Sequence, residues 1–279
     1  MESLRWLEDA VAPRDKWKGW EEAVGPALLL LGCGASLLAN WVWGRMIGDV
    51  ACSWRLSYSP RGPAFFIWTV IYLWTFVSIA LQFSFNMNQD MWYCASFATN
   101  ALICVTWIAC SLWIWFFSLA DSKNIKDGLG WAAWLLIVAV VCALSAVCWE
   151  QSWRSGSVVR VLSVGVPFSL FAGWLLLAAS LSLGVFLASE TRPPDRCPED
   201  GEDGELVQMR DPGMEVWVPP TLAVAIGAFA IGLPDPVLPV PLLWGLVWVN
   251  RSRGQVLAAL LAVVAILGAV LRVPSVVPE

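Results

Sequence analysis

Residues 161–188 read VLSVGVPFSLFAGWLLLAASLSLGVFLA, 28 positions without an Asp, Glu, Lys, Arg or His. Crossing the hydrocarbon layer of a bilayer takes about 20 predominantly apolar residues, and in lipid a helix satisfies its own backbone polar groups. The stretch therefore reads as a transmembrane helix. Working outward, the same criterion, with Trp and Tyr favoured near span ends, places spans near 24–43, 64–83, 94–117 and 130–149 before it. Three more follow near 216–233, 236–249 and 255–272. The prolines of LPDPVLPVP (233–241) break any continuous helix between the sixth and seventh. The seventh is short, and either crosses or lies half-buried against its neighbours. The expected fold is all-α: a polytopic membrane protein.

Composition agrees. A soluble domain is about 45–50% apolar and 25% charged; here 58% is hydrophobic and 14% charged. The net charge of −5 is concentrated near the N-terminus and in one loop, and no basic patch argues for nucleic acid. Six of the eight cysteines (Cys33, Cys94, Cys104, Cys110, Cys142, Cys148) fall in apolar spans, where they read as small hydrophobes. The gaps Cys104–Cys110 and Cys142–Cys148 match no zinc spacing, so no metal site is assigned. Histidine is absent, which removes the commonest general base, metal ligand and axial haem ligand. No catalytic residue and no cofactor are expected, and the chain does not read as an enzyme.

Four segments emerge. Residues 1–23 mix both charges with Trp6, Trp17 and Trp20, and read as an interfacial or a disordered stretch. They lack the apolar core of a cleavable signal, so the first span is expected to direct insertion. Residues 24–188 hold the first five spans. Residues 189–215 carry Pro, Gly and nine acidic residues, and read as a flexible solvated loop. Residues 216–273 form a C-terminal helical extension. Counting Lys and Arg by side gives seven against ten, a small bias that puts loop 44–63 on the cytosolic side.

Ionisable residues inside spans mark ion or proton pathways. Arg45, Asp90, Asp121, Glu150 and Asp235 all fall at span ends, which argues against a proton-coupled pump or voltage sensor. Tryptophan takes their place: 20 residues of 279. Many suit interfacial anchoring, but Trp68, Trp107 and Trp174 lie inside spans beside small residues such as Ala109, Cys110, Ala172 and Gly173. A large ring beside residues that let helices approach fits either a packed core or a flat apolar pocket. Asn40 and Asn100 are the amides that stand out in the spans; buried, each needs partners on another helix or on a ligand.

Pro60-Arg61-Gly62-Pro63-Ala64-Phe65-Phe66-Ile67-Trp68, continuing through Ile71-Tyr72, resembles the opening of the second helix in the tryptophan-rich sensory protein (translocator protein, TspO-type) family, particularly its longer relatives. Pro167-Phe168-Ser169-Leu170, then Gly173-Trp174 and Ala178, is similar to their fifth helix, and Asn40 fits the first. The resemblance covers roughly 24–188. It departs where the third helix of the family carries Asn-x-x-Trp: Cys104 and Cys110 precede Trp107 and Trp113 here. Ser182 stands where an Asn is expected late in the fifth helix, and only Trp54 lies near the loop position where short members have a ligand-touching Trp. The resemblance implies a five-helix bundle with an apolar cavity, capped by the loop between helices one and two, plus about three C-terminal helices. It also implies a tetrapyrrole, sterol or similar flat ligand bound by Asn40, Trp68, Tyr72, Trp107 and Trp174.

Two functions stay open: binding, sensing or transport of a planar hydrophobic ligand, and a structural subunit of a larger membrane complex. The expected partners are the lipid bilayer, a porphyrin, sterol or similar molecule, and either a second copy of the chain or a larger complex.

Overall fold

The computed structural model describes residues 20–54, 56, 59–60, 62–87, 94–119, 125–150, 157–191 and 235–248. Helix α1 is Trp20–Ser53. A 3-10 turn, Gly62–Phe66, leads into α2, Ile67–Met87. Helix α3 is Phe97–Ser118 and α4 is Ile125–Glu150. Helix α5 starts as Val158–Arg160, passes through a π turn at Val161–Gly165 and continues as Val166–Thr191. Helix α6, Val240–Val247, has eight residues. Among the described residues, five helices are long and apolar enough to cross a membrane: Val24–Ala51, Pro63–Phe85, Phe97–Ser118, Asp127–Glu150 and Val158–Thr191.

Three features stand out against the sequence reading. Helix α1 runs ten residues past the apolar span, to Ser53; hydropathy marks where lipid ends, and nothing in Gly44–Ser53 breaks a helix at that point. The π turn in α5 sits directly before Pro167, whose ring has no N–H to donate and would crowd the carbonyl four residues back. Among the described residues of the seventh expected span, Val240–Val247 is helical, eight residues and too short to cross alone. The spans expected at 216–233 and 255–272, residues 1–19 and loop residues 192–215 lie outside the described residues.

The five long helices close a ring. Helix α1 packs on α3, α3 on α4, α4 on α5, α5 on α2, and α2 back on α1. In lipid, apolar side chains gain little by leaving the solvent, so close backbone approach decides which faces meet. Helix α4 turns Ala132, Leu136, Ala139, Ala143 and Ala146 inward at helical spacing, and sends Trp131, Trp134 and Trp149 out to lipid. On α1, a Cβ at Gly32 would stand 3.1 Å from both the Cys104 carbonyl oxygen and the Trp107 Cβ of α3. Helix α2 makes the least extensive contacts of the five.

Helix α5 is enclosed. From Pro167 to Ala178 every residue is buried, because α2, α4 and residues 235–248 surround it. A helix that is apolar all round is a buried one.

The two ends of the bundle are closed differently, one by polar groups and the other by apolar packing. At one end the Glu150 carboxylate, 3% exposed, pairs with Arg160 and accepts from Thr99 Oγ1 at 2.8 Å and from the Ser96 N–H at 3.4 Å. Those bonds join the end of α4 to the starts of α5 and α3, where Ser96 caps the helix by accepting from the Thr99 N–H at 3.1 Å. At the other end Trp54 and Leu56, following α1, are buried against Phe117, Leu129, Ala132, Val185 and Ala188.

Candidate functional site

The inward stripe of α2 repeats every three or four residues: Trp68, Tyr72, Thr75, Ser78 or Ile79, Gln82. Its upper part meets α1, α3 and α5 in the main core, and the rings collect there. Trp107, halfway along α3 and fully buried, lies between Tyr72 and Phe171. Its ring centroid stands 5.0 Å from Tyr72, at 23° between planes, and 3.9 Å from Phe171, at 19°. Trp68 touches four rings, with centroids at 5.8 Å (Tyr72), 6.1 Å (Trp174), 6.2 Å (Phe171) and 6.3 Å (Trp107). Phe65 meets Trp174 edge-on at 6.0 Å. Offset-stacked and edge-on arrangements with centroids about 4.5–7 Å apart are favoured by the ring quadrupoles; the Trp107–Phe171 pair is closer than that.

One edge of the cluster is polar and neutral. The Tyr72 hydroxyl accepts a hydrogen bond from Asn40 Nδ2 at 2.9 Å and shares another with Ser36 Oγ at 2.8 Å. Asn40 also donates to the Ser36 carbonyl at 3.0 Å, which fixes its amide against α1. Within the cluster, the buried indole N–H groups of Trp107 and Trp174 have no acceptor among the described residues. A buried donor left unpaired costs about 1–3 kcal/mol.

The five residues singled out in the sequence, Asn40, Trp68, Tyr72, Trp107 and Trp174, therefore come together from α1, α2, α3 and α5. Ser36 and Phe171 join them, and the sequence reading did not name them. Helical spacing held the signal: Ser36 is one turn before Asn40, and Phe171 three residues before Trp174. Asn100 goes elsewhere. It donates to Gln82 Oε1 at 3.1 Å, and Gln82 donates to Ser78 Oγ at 3.1 Å, bridging α3 to α2. Gln82 is ten residues from Tyr72, about 15 Å along the helix. Ser182, at the position where the resemblance expects Asn, accepts from Trp113 Nε1 at 3.3 Å and ties α5 to α3. Trp54 packs at the end of the bundle, in a core separate from the rings.

Asp235, expected from the sequence at a span end, begins the segment that leads into α6 and is enclosed. It is 2% exposed and accepts from Ser169 Oγ at 2.5 Å, two residues from the Phe171 that stacks on mid-span Trp107. Its other oxygen accepts from the N–H groups of Val237 and Leu238 at 2.9 and 3.1 Å. The carboxylate is buried with Ser169 and the amides of its own turn as donors in place of water. Among the described residues, no group of three His, Cys, Asp or Glu could hold a metal ion, and the six spanning cysteines are free thiols.

A ring of five membrane-crossing helices around stacked aromatic side chains, with a neutral polar edge, defines an integral multi-pass membrane protein of the kind that binds hydrophobic ligands. The match to a family model agrees with that class: the model described as TSPO-like protein covers residues 27–191, more than half of the chain and ending with α5. The chain belongs to the TSPO-like protein family. No curated protein and no solved structure matches it.

Proposed function

We propose that this TSPO-like protein binds a planar hydrophobic ligand, a tetrapyrrole or a sterol in class, and serves in sensing or transporting it rather than transforming it. Trp68, Trp107 and Trp174 supply the flat walls, and Asn40 and Tyr72 the oriented polar contacts that such pockets carry. The observation that carries this reading is the buried Trp107. Its faces stack on Tyr72 and Phe171 while its N–H has no acceptor among the described residues, so a flat molecule bearing an acceptor oxygen would satisfy that N–H. The rings touch one another directly, so the ligand takes the place of one of these contacts. Titrating the protein in nanodiscs with protoporphyrin IX, and separately with a sterol, tests the reading through quenching or shift of tryptophan emission. Saturable change at micromolar ligand supports it; a linear response to both, equal to that of empty nanodiscs with free tryptophan, rejects it.

A structural role in a larger membrane complex draws its support from α4, whose Trp131 and Trp134 are both more than half exposed. Stable co-migration with a large assembly after mild solubilisation, lost on changing both to Leu, would favour it.

A further inference from the structure

Two rings of the cluster carry spare hydrogen-bonding capacity, and in both it is a donor. The buried Nε1–H groups of Trp107 on α3 and Trp174 on α5 have no acceptor among the described residues. Both indoles abut Trp68, with centroids at 6.3 and 6.1 Å, so the two donors belong to the shell around one ring. The Cζ3 corner of Trp174 faces Gly245, and Nε1 lies at the opposite corner of an indole, so this N–H turns away from α6. The donors on the polar edge are already engaged: Asn40 Nδ2 serves the Ser36 carbonyl and the Tyr72 hydroxyl, and that hydroxyl pairs with Ser36 Oγ.

Charge is kept away from the same rings. The basic groups among the described residues are Arg45, Lys126 and Arg160. Arg45 is exposed, and five residues past Asn40 it lies about 140° round α1 from it. Lys126 opens α4, which contributes none of these rings among the described residues. Arg160 is paired with Glu150 and stands eleven residues before Phe171, about 16 Å along α5. A carboxylate brought to the rings would meet neutral donors and no cation among the described residues, and an uncompensated charge in lipid is expensive. A carbonyl oxygen asks only for a donor and leaves the rest of the molecule apolar.

We propose that the aromatic site selects flat, uncharged molecules that carry carbonyl oxygens, and discriminates against carboxylates, with Trp107 and Trp174 donating to those oxygens. The proposal rests on the ligand-binding reading above and narrows it to one ligand chemistry, which a quinone and an esterified tetrapyrrole share. Whichever ring contact the ligand displaces, the two N–H groups remain available to it.

The test uses the full chain in nanodiscs and two matched pairs of probes. Protoporphyrin IX and its dimethyl ester share a ring system and differ in charge; menadione and 2-methylnaphthalene share a shape and differ in carbonyls. Tryptophan quenching, corrected for partition into empty nanodiscs, reads affinity, and the infrared carbonyl stretch of bound menadione reads the hydrogen bond itself. The ester should bind about tenfold or more tighter than the free acid, and menadione about threefold to tenfold tighter than the hydrocarbon. Trp107→Phe and Trp174→Phe keep a ring and remove the N–H. Each should weaken ester and menadione by about threefold to tenfold, shift the carbonyl stretch upward, and leave 2-methylnaphthalene within about twofold. Should Trp107→Phe unfold, Trp174→Phe and the wild-type probe pairs carry the test. Equal or tighter binding of the free acid would overturn the selection, and loss of that preference in Arg61→Gln would trace it to a cation outside the described residues. Equal weakening of all probes in both variants would also overturn it, leaving the indoles as packing. No saturable binding of any probe would sink the ligand reading itself.

Discussion

Replacing Trp68 by Leu is the most discriminating change in the ring cluster, because Trp68 is the hub and yet only half-buried. It contacts Tyr72, Trp107, Phe171 and Trp174 with centroids between 5.8 and 6.3 Å. An aromatic pair contributes about 0.5–1.5 kcal/mol beyond burial. These separations lie toward the far side of the favourable range, so the low figure applies, and four pairs come to roughly 2 kcal/mol. Leucine refills part of the volume, so the bundle should stay folded, its thermal midpoint lowered by a few degrees. A ligand resting on the same ring loses its wall as well. A loss of 1.4 kcal/mol is a factor of ten, so the dissociation constant for protoporphyrin IX should rise about tenfold or more. The assay is paired: thermal unfolding followed by tryptophan emission, and a quenching titration on the same nanodisc preparation. Lowered stability with unchanged affinity refutes the argument, because the ring would then serve packing alone. No change in either quantity would refute the geometry itself.

Tyr72→Phe keeps the stack and removes the hydroxyl shared with Ser36 and Asn40; at about 0.6 kcal/mol for each bond in a membrane protein, the loss should be about 1 kcal/mol, read from denaturation in detergent. Gly32→Val drives two methyl groups toward the Cys104 carbonyl and Trp107, and should cost about 1–3 kcal/mol of overpacking. Gly34→Ala, with open space around it, should be neutral or slightly stabilising, and equal effects at the two positions would contradict the α1–α3 packing. Arg160→Met leaves the buried Glu150 with Thr99 and Ser96 as donors and should destabilise by about 1–3 kcal/mol. Glu150→Gln added to it should recover part of that loss, and a double variant worse than the single would count against a paired charge.

Much of this was legible in the residues because lipid simplifies the problem. Long uncharged runs allow one secondary structure, so five helices could be read off directly. Helix spacing then brings Trp68 and Tyr72 to one face, and places Asn40 one turn from Ser36. The helix ends were less legible. Hydropathy reports the solvent beside the chain, and α1 continues past its last lipid-facing turn until Ser53. The partners within the ring cluster were also hidden. That Phe171 rather than Phe168 stacks on Trp107 depends on the rotation of α5, which the π turn before Pro167 adjusts.

The burial of Asp235 has a physical reason that carries further. Placed between two short apolar runs, a carboxylate is assigned to the membrane surface, because an unassisted charge in lipid is expensive. Here the Asp-Pro-Val-Leu turn folds its own amides onto the carboxylate, which lowers the cost of burying it. The matching adaptation is on α5. If that face met lipid, Ser169 would gain nothing from its hydroxyl, and Gly173 would only weaken the helix, by about 1 kcal/mol relative to alanine. Against residues 235–248 both make sense: the serine meets the carboxylate, and the glycine admits the Leu238 carbonyl where any Cβ would collide. The family match ends at Thr191, whereas these two α5 residues are fitted to a segment more than forty residues beyond it. The fifth helix and residues 235–248 therefore form one packing unit.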